Sequence, residues 1–235
     1  MGSFPFSSNL SKDIAYRNIV DMINRIVTQD LPKISQYRTN SFDEILRIIG
    51  FLATRPPSEI SQTKIAKNIG MSAGKVNEIF DTLEKAHLIF VVKPFNKGVS
   101  LKGIPRHYKY YFISPAILSA ICYLNGKSLS ESAVKGNFVE SAVASVLFRL
   151  CYTTGSIYYL YYDSRKESNV DFILNNPLKG DIIPIEVGVN KNQSQIRSAM
   201  NYYKSKYGIV ISDSIENIVF DSGVILIPLW FIQQI

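Results

Sequence analysis

The sequence predicts an α+β protein with two domains, a helical domain over residues 1–124 and an α/β domain with a mixed sheet over residues 125–235. Three observations lead to this prediction. The chain has 235 residues, which is more than one small core usually needs. Apolar residues recur at helical spacing through most of the first half, whereas helical and strand-like segments alternate in the second half. The polar segment "NGKSLSES", residues 125–132, is the best linker candidate.

The composition is typical of a soluble globular protein, with 46% hydrophobic and 19% charged residues. No apolar run reaches the ~18 residues of a membrane span, and the N-terminus lacks a signal-peptide pattern. The two cysteines, Cys122 and Cys151, lie far apart in apolar surroundings. This usage favours a reducing, cytoplasmic location and argues against a zinc site or a disulfide scaffold.

Positive charge is concentrated in one stretch of the chain. The net charge is +7, and no Asp or Glu occurs between Glu84 and Glu131. A stretch of one sign is either a solvated surface loop or a surface that binds an acidic partner, and the sequence leaves both open. The basic residues in it are Lys85, Lys93, Lys97, Lys102, Arg106, Lys109 and Lys127.

The N-terminal segment predicts two helices. Residues 10–30 have a helical apolar stripe, and Pro32 is expected to end that helix. Ser41 and Glu44 match a capping box for a second helix, which the Pro-Pro pair at 56–57 ends.

Residues 61–113 predict a helix-turn-helix followed by two strands. Gly70 is placed to end the first helix, and Ser72 is placed to cap the second. The strands are expected at 88–92 and 108–113, joined by a basic loop that we call the wing. This order is that of a winged helix, followed by a short helix at 116–123. The positions expected to be buried are Ile65, Ala66, Ile69, Val76, Ile79, Phe80 and Leu83.

The second half predicts an α/β sandwich. The expected elements are a helix at 133–151, strands near 156–162, 169–174 and 182–189, a helix near 193–206, and strands near 208–212 and 224–230.

Three acids stand out in this half. Glu140 lies on the apolar face of the first helix, Asp171 in the second strand and Glu186 in the third. Carboxylates so placed can converge on Mg²⁺, which can activate water for phosphodiester hydrolysis. Structural pairing is the alternative for each acid: with Lys135 or Arg149 for Glu140, with Arg165 or Lys166 for Asp171, and with backbone donors for Glu186.

This arrangement resembles the PD-(D/E)XK nuclease superfamily, a restriction-endonuclease-like fold with Glu in the first helix, Asp in the second strand and Glu-X-Lys in the third. The whole chain also resembles the C-terminal region of a large archaeal and bacterial family of AAA+-like P-loop ATPases. The residues that carry this resemblance are "INRIVTQDLPKI", "SQTKIAKNIGMSAGKVNEIFDTLEKAHLIFVVKPF", "GNFVESAVASVLF", "NVDFIL" and "IPIEVGVN", with "GSFPF" near the start.

The resemblance implies a nucleic-acid-associated module of such an ATPase, without the ATPase domain. It implies a DNA endonuclease that uses Mg²⁺ or Mn²⁺ at Asp171, Glu186 and Glu140, and an ATPase domain in cis or in trans as partner. The alternative is a catalytically inactive DNA-binding or protein-interaction domain that serves the ATPase. A homodimer is one assembly that the sequence allows.

One position departs from the nuclease pattern. Gly188 stands where the lysine of Glu-X-Lys is expected. Lys191 follows three residues later, and its Cα would lie about 10 Å beyond Gly188 if the strand continued. Only a turn at residues 188–190 can bring the amine of Lys191 back, which makes Lys191 the candidate for a relocated catalytic lysine.

The nucleic-acid surface is expected on the helix-turn-helix and the wing. Lys75 and Asn77 are outward on the second helix, although Glu78 and Asp81 beside them repel phosphate. A protein-docking role for the winged helix is the alternative. The wing candidates are Lys93, Lys97, Lys102, Arg106 and Lys109, which suit backbone contacts more than base readout.

The segment "GMSAGKV" superficially resembles a phosphate-binding loop. It has three residues between its glycines instead of four, and Val76 follows the lysine instead of Ser or Thr. We therefore expect no nucleotide site in this chain.

Overall fold

The structure is a computed structural model that describes residues 4, 9–34, 42–55, 60–95, 107–126, 132–152, 155–167, 169–189, 191 and 193–234. The chain divides into two compact units. The first unit comprises Met1–Val91 and Arg106–Ser141, and the second comprises Val92–Pro105 and Ala142–Ile235. Helices and a mixed sheet confirm the α+β class. Within the described part of the chain, no helix is long and apolar enough to cross a membrane.

The first helical segment continues past Pro32, so the prediction that this proline ends it was wrong. Helix α1 spans Lys12–Arg25, a π-helical turn spans Ile26–Asp30, and α2 spans Leu31–Ile34. In the π turn the Leu31 amide donates a hydrogen bond to the Ile26 carbonyl, five residues earlier. A proline lacks the amide that an α-helical turn requires, and its ring crowds the carbonyl four residues before it. The wider π turn accommodates both defects.

The next helices begin and end where local chemistry predicts. Helix α3 spans Phe42–Ala53, and its expected cap, Ser41, lies outside the described residues. The hydroxyl of Ser61 caps α4, Gln62–Ile69, by accepting from the Lys64 amide at 3.2 Å. Gly70 ends that helix with a φ of 70°, which glycine adopts at little cost. Ser72 caps α5, Ala73–Lys85, in the same way at 3.2 Å.

Strands β1, Ile89–Pro94, and β2, Lys109–Phe112, follow. In the first unit β2 lies next to β1, and Ile60 forms an antiparallel bridge with Tyr108. Helix α6, Pro115–Leu124, is capped by Ser114. Core side chains of the first unit come from α1, α3, α4, α5, the strands and α6, and they include all the predicted positions of α4 and α5.

The end of β1 corrects one expectation. Lys93 was expected in the wing loop, but β1 continues to Pro94. In the second unit, this part of β1 pairs in parallel with β3, Tyr159–Tyr162, with Lys93 opposite Tyr161.

The second unit is built on a mixed sheet. Helix α7, Ser132–Tyr152, belongs to this unit from Ala142 onward and precedes β3. Strands β4, Phe172–Asn176, and β5, Asp181–Gly188, continue from β3 as an antiparallel meander. Helix α8, Ser194–Tyr203, then leads to β6, Gly208–Ser212, which pairs in parallel with β5. The unit's strand order is β1-β3-β4-β5-β6-β8-β7, where β7 is Val219–Asp221 and β8 is Val224–Pro228. Strand β7 and the 3-10 helix Leu229–Gln234 were not predicted.

Helix α8 packs closely on the sheet. Ile196, Ala199 and Tyr203 of α8 are buried against residues such as Ile173 and Val210. A Cβ at Gly208 would lie 2.7 Å from Ile196 Cγ1 and 2.8 Å from Met200 Sδ. Glycine at the start of β6 therefore sets the distance at which α8 packs.

Candidate functional site

Asp171 and Glu186 lie opposite each other at the junction of β4 and β5. Phe172 of β4 pairs with Ile185 of β5. The antiparallel register therefore places Asp171, one residue before β4, opposite Glu186, and cross-strand neighbours of this kind have Cβ atoms about 5 Å apart. Asp171 Oδ2 accepts a hydrogen bond from the Val187 amide at 2.7 Å. One carboxylate oxygen of Asp171 thus ties the start of β4 to β5.

Glu186 forms an ion pair with Lys191. The Glu186 side chain is only 2% exposed, and the Lys191 amine donates to its Oε1. The side chain of Lys191 is 31% exposed, so the pair lies at the edge of the interior. A buried carboxylate is costly without a cation or hydrogen-bond donors, and Lys191 supplies both.

Gly188 makes room for this lysine. Its φ of +152° is a conformation that residues with a Cβ rarely adopt, and it diverts the chain at the end of β5. A Cβ at position 188 would lie 2.5 Å from Lys191 Cε and 3.3 Å from its Cγ. The lysine stem occupies the space that a side chain at 188 would fill. The nuclease pattern places a lysine two residues after Glu186. Here Lys191, five residues after Glu186, brings its amine to that carboxylate.

Ser212 lies beside the turn that carries Lys191. It is fully buried at the end of β6, and Gly188 is its partner in the β5–β6 register. Its Oγ accepts from the Ser214 amide at 3.3 Å and, more weakly, from the Lys191 amide at 3.5 Å. This serine could not be predicted from the sequence, because its role depends on the parallel pairing of two strands distant in sequence.

Glu140 belongs to the first unit, whereas Asp171 and Glu186 belong to the second. Glu140 Oε1 accepts from the Tyr111 hydroxyl at 2.7 Å and from Lys109 Nζ at 3.0 Å. The side chains of Glu140 and Lys109 are 17% and 13% exposed. Glu140 thus sits in a sheltered ion pair, and its contact with Lys109 was not among the pairings expected from the sequence. Across the described ranges, no three His, Cys, Asp or Glu side chains are grouped so that they could hold a metal ion.

The expected nucleic-acid residues have different environments. Lys75 pairs with Glu44 at 4.0 Å and with Glu78 at 3.5 Å. Asn77 and Lys93 are exposed, whereas Lys109 is held by Glu140. Lys97, Lys102 and Arg106 lie outside the described residues.

A buried polar cluster around Asp163 was not predicted from the sequence. The Asp163 carboxylate accepts from Arg165 Nη2 at 2.7 Å, from the Tyr203 hydroxyl at 2.8 Å and from the Val170 amide at 3.1 Å. Burial acts to raise the pKa of Asp163, but the hydrogen bonds from Arg165, Val170 and Tyr203 outweigh it, and the pKa lies below its ordinary value. Burial and the neighbouring carboxylate raise the pKa of Tyr203. The sequence contains one indication of this cluster: Asp163 and Arg165 lie two residues apart at the end of β3.

The Asp163 cluster has the character of a structural site. Arg165 also lies over the rings of Tyr202 and Tyr203, with its guanidinium carbon 4.7 and 4.9 Å from their centroids. The pair thus links the end of β3 to the last turn of α8. Arg165 was predicted as a possible partner of Asp171, but it forms its ion pair with Asp163.

The chain is an α+β protein whose first half is helical and whose second half carries an acidic pair with a lysine. It belongs to the family described as "Domain of unknown function (DUF8612)", whose model matches residues 1–128. A second model, described as "Domain of unknown function (DUF4143)", matches residues 135–232.

One curated relative and one solved structure are similar to the chain. The "Uncharacterized protein MJ1637" of Methanocaldococcus jannaschii is 27% identical over 229 residues, which are 97% of this chain and 46% of that protein. The chain therefore spans about half the length of this relative. A structure of an S. aureus MepR mutant matches at 15% identity over 50% of this chain and 78% of its own, with a TM-score of 0.28.

Proposed function

We propose that this chain is the nucleic-acid-associated module of an AAA+-type ATPase and that its second unit is a divalent-metal-dependent DNA endonuclease. The observation that carries the proposal is the return of Lys191 across Gly188 to Glu186, with Asp171 opposite that carboxylate. Glycine at position 188 removes the lysine of the Glu-X-Lys pattern, and Lys191 brings an amine to Glu186 in its place.

The topology of the second unit supports the nuclease-like fold. A helix is followed by three antiparallel strands, a helix and a strand parallel to the third. This is the core order of the PD-(D/E)XK superfamily that the chain resembles. The acids lie close to the expected strands: Asp171, predicted within the second strand, immediately precedes it, and Glu186 lies near the end of the third.

The donor set suits a hard cation. Two carboxylates face each other across one antiparallel pair, and Mg²⁺ binds to one or two carboxylates while it keeps several waters. Asp171 and Glu186, which face each other within one unit, would hold the cation, whereas Glu140 belongs to the other unit and is paired with Lys109 and Tyr111. When bound, such an ion supplies charge stabilisation and lowers the pKa of water for attack on phosphorus.

The protein's own groups have separate roles in this proposal. Asp171 and Glu186 would hold the cation, and the hydrogen bond from the Val187 amide fixes the Asp171 carboxylate. Lys191 donates a hydrogen bond to the attacking water or to a phosphate oxygen. Its partly exposed amine can turn from Glu186 towards substrate without leaving the interior.

The first unit supports a role with nucleic acid. Helices α4 and α5, strands β1 and β2, and the bridge from Ile60 to Tyr108 have the order of a winged helix. The DUF4143 family is found in AAA-ATPase-associated proteins. The relative from M. jannaschii is about twice as long as the matched region, which leaves room for an ATPase domain in that protein.

The test is cleavage of supercoiled plasmid with Mg²⁺ or Mn²⁺. We expect nicking by the wild type and its loss in Asp171→Asn, which keeps an oxygen for the Val187 amide, and in Lys191→Met. Glu167→Gln, an exposed acid of the same unit, is the control and should cleave normally. Mn²⁺ should also raise the melting temperature of the wild type but not of Asp171→Asn. Equal cleavage by Asp171→Asn and wild type would rule out the proposal.

A silent DNA-binding or protein-interaction module is the second candidate. It is favoured by the near-complete burial of Glu186 in its ion pair with Lys191. This candidate predicts duplex binding that weakens with salt and with Lys93→Gln, without cleavage and without a Mn²⁺-dependent shift in melting.

A further inference from the structure

The second unit presents two exposed aromatic rings beside two lysines. Tyr207 is 48% exposed and Phe220 is 63% exposed, and their ring centroids lie 6.4 Å apart. Lys204 and Lys206 precede Tyr207 in the connection between α8 and β6, and both are exposed. We call these four residues the Tyr207–Phe220 surface.

The two segments that carry this surface are held together by close backbone contacts. The Gly208 amide donates to the Gly223 carbonyl at 3.0 Å, which joins the start of β6 to the turn between β7 and β8. A Cβ at Gly223 would lie 3.0 Å from the Lys206 carbonyl oxygen. Because glycine at position 223 permits this approach, Tyr207 and Phe220 are presented on a fixed frame and not on separate loops.

The charge of the surface is positive. Lys204 ends α8 with a φ of 55°, a position where glycine or asparagine is the usual residue. The acid of β7, Asp221, accepts from Gln193 Nε2 and from Arg197 Nη2, both at 3.1 Å. Local donors therefore neutralise the charge of Asp221. Lys204 and Lys206 make the electrostatic potential beside the two rings positive.

We propose that the Tyr207–Phe220 surface binds single-stranded nucleic acid. Bases of a single strand stack on exposed aromatic faces, and lysines beside them contact the backbone. Duplex DNA hides its base faces and gains only the electrostatic part. A second copy of the chain is the less favoured occupant, since self-association through this face would bring like charges together.

This inference goes beyond the proposed cleavage and does not require it. Binding at the Tyr207–Phe220 surface would hold equally for a catalytically silent protein. If the nuclease proposal is correct, the surface adds a preference for substrates with single-stranded segments.

Fluorescence anisotropy with a labelled single strand of about 20 thymidines, and with a duplex of the same length, tests the proposal. We expect Phe220→Ala and Tyr207→Ala each to weaken single-strand binding roughly tenfold and to leave duplex binding nearly unchanged. Lys206→Gln should reduce the slope of log affinity against log salt by about 0.7. Both rings are exposed, so these variants should keep the wild-type melting temperature.

Tyr159→Ala is the matched control, because Tyr159 is 47% exposed on β3, which four strands separate from β7. It should bind like the wild type. The proposal is overturned if Phe220→Ala binds the single strand as well as the wild type does, or if Tyr159→Ala loses as much affinity. It is also overturned if sedimentation detects a dimer that Phe220→Ala abolishes, because a second copy would then cover the surface.

Discussion

The side chain of Lys191 crosses the bare Cα of Gly188 to reach the carboxylate of Glu186. A chain that continued as a strand would carry position 191 about 10 Å past Gly188. The positive φ of Gly188 redirects the backbone, and the absent side chain leaves space for the lysine stem. Gly188 and Lys191 thus form one arrangement in which neither residue is replaceable alone.

Gly188→Ala should disrupt this arrangement. The added Cβ would meet Lys191 Cε at 2.5 Å and would also occupy a φ that disfavours L side chains. We expect a loss of about 1–3 kcal/mol in the free energy of unfolding, measured by urea denaturation. If the cleavage proposal holds, nicking falls as well. Gly74→Ala, where a Cβ meets nothing within 4 Å, should be neutral or slightly stabilising.

Lys191→Met should destabilise the second unit because it removes the cation beside a buried carboxylate. We expect a loss of about 1–3 kcal/mol at pH 7, less than for a fully buried pair since the lysine is partly exposed. Lys179→Met, at an exposed turn of the same unit, should change stability by less than about 0.5 kcal/mol. Equal stability of the two variants in urea would contradict the importance of the ion pair.

Asp163 should account for much of the loss of stability of the second unit at acidic pH. Its folded pKa lies below the unfolded value of about 3.9, so its stabilisation is complete above that value and is lost as pH falls through the folded pKa. Asp163→Asn should cost about 3 kcal/mol at pH 7 and flatten the decline of the urea midpoint below about pH 4.

Asp221→Asn is the control for this titration. Its pKa is also lowered, chiefly by hydrogen bonds from Gln193 and Ser222, but the group is exposed. If the urea midpoints of Asp163→Asn and the wild type fall in parallel below about pH 4, other carboxyl groups cause the acid-induced loss of stability.

Glu140→Ala should destabilise the first unit through its sheltered ion pair. The substitution removes the carboxylate that accepts from Lys109 and from the Tyr111 hydroxyl, and we expect a loss of about 2–3 kcal/mol. Tyr111→Phe should cost about 1 kcal/mol. Because we assign the cation to Asp171 and Glu186, Glu140→Gln should retain cleavage. Loss of cleavage in Glu140→Gln at unchanged stability would restore Glu140 as a ligand.

Features that depend on neighbouring residues were predictable from the sequence. The cap Ser72 and the helix-ending Gly70 act within one helical turn, and both predictions are confirmed. The helices and most of the strands were also predictable, because apolar periodicity is a pattern of residues close together in the sequence.

Partners of charged side chains were not predictable, because they depend on distant segments. Glu140 and Lys109 are 31 positions apart, and Asp163 and Tyr203 are 40. Lys191 was found as a candidate only because residues 188–190 could turn. The conformation of Gly188 that brings it back depends on contacts at the end of the sheet.

The π turn at Ile26–Asp30 has a consequence for the phase of the first helical segment. Ile19, Ile23, Val27 and Leu31 are buried at intervals of four residues, and each interval rotates an α-helix about 40° beyond a full turn. Three such steps would carry Leu31 about 120° around the axis from Ile19. The extra residue of the π turn cancels much of that rotation, so that all four face one core. Deleting one residue there would keep the helix continuous but turn everything beyond it by about 100°.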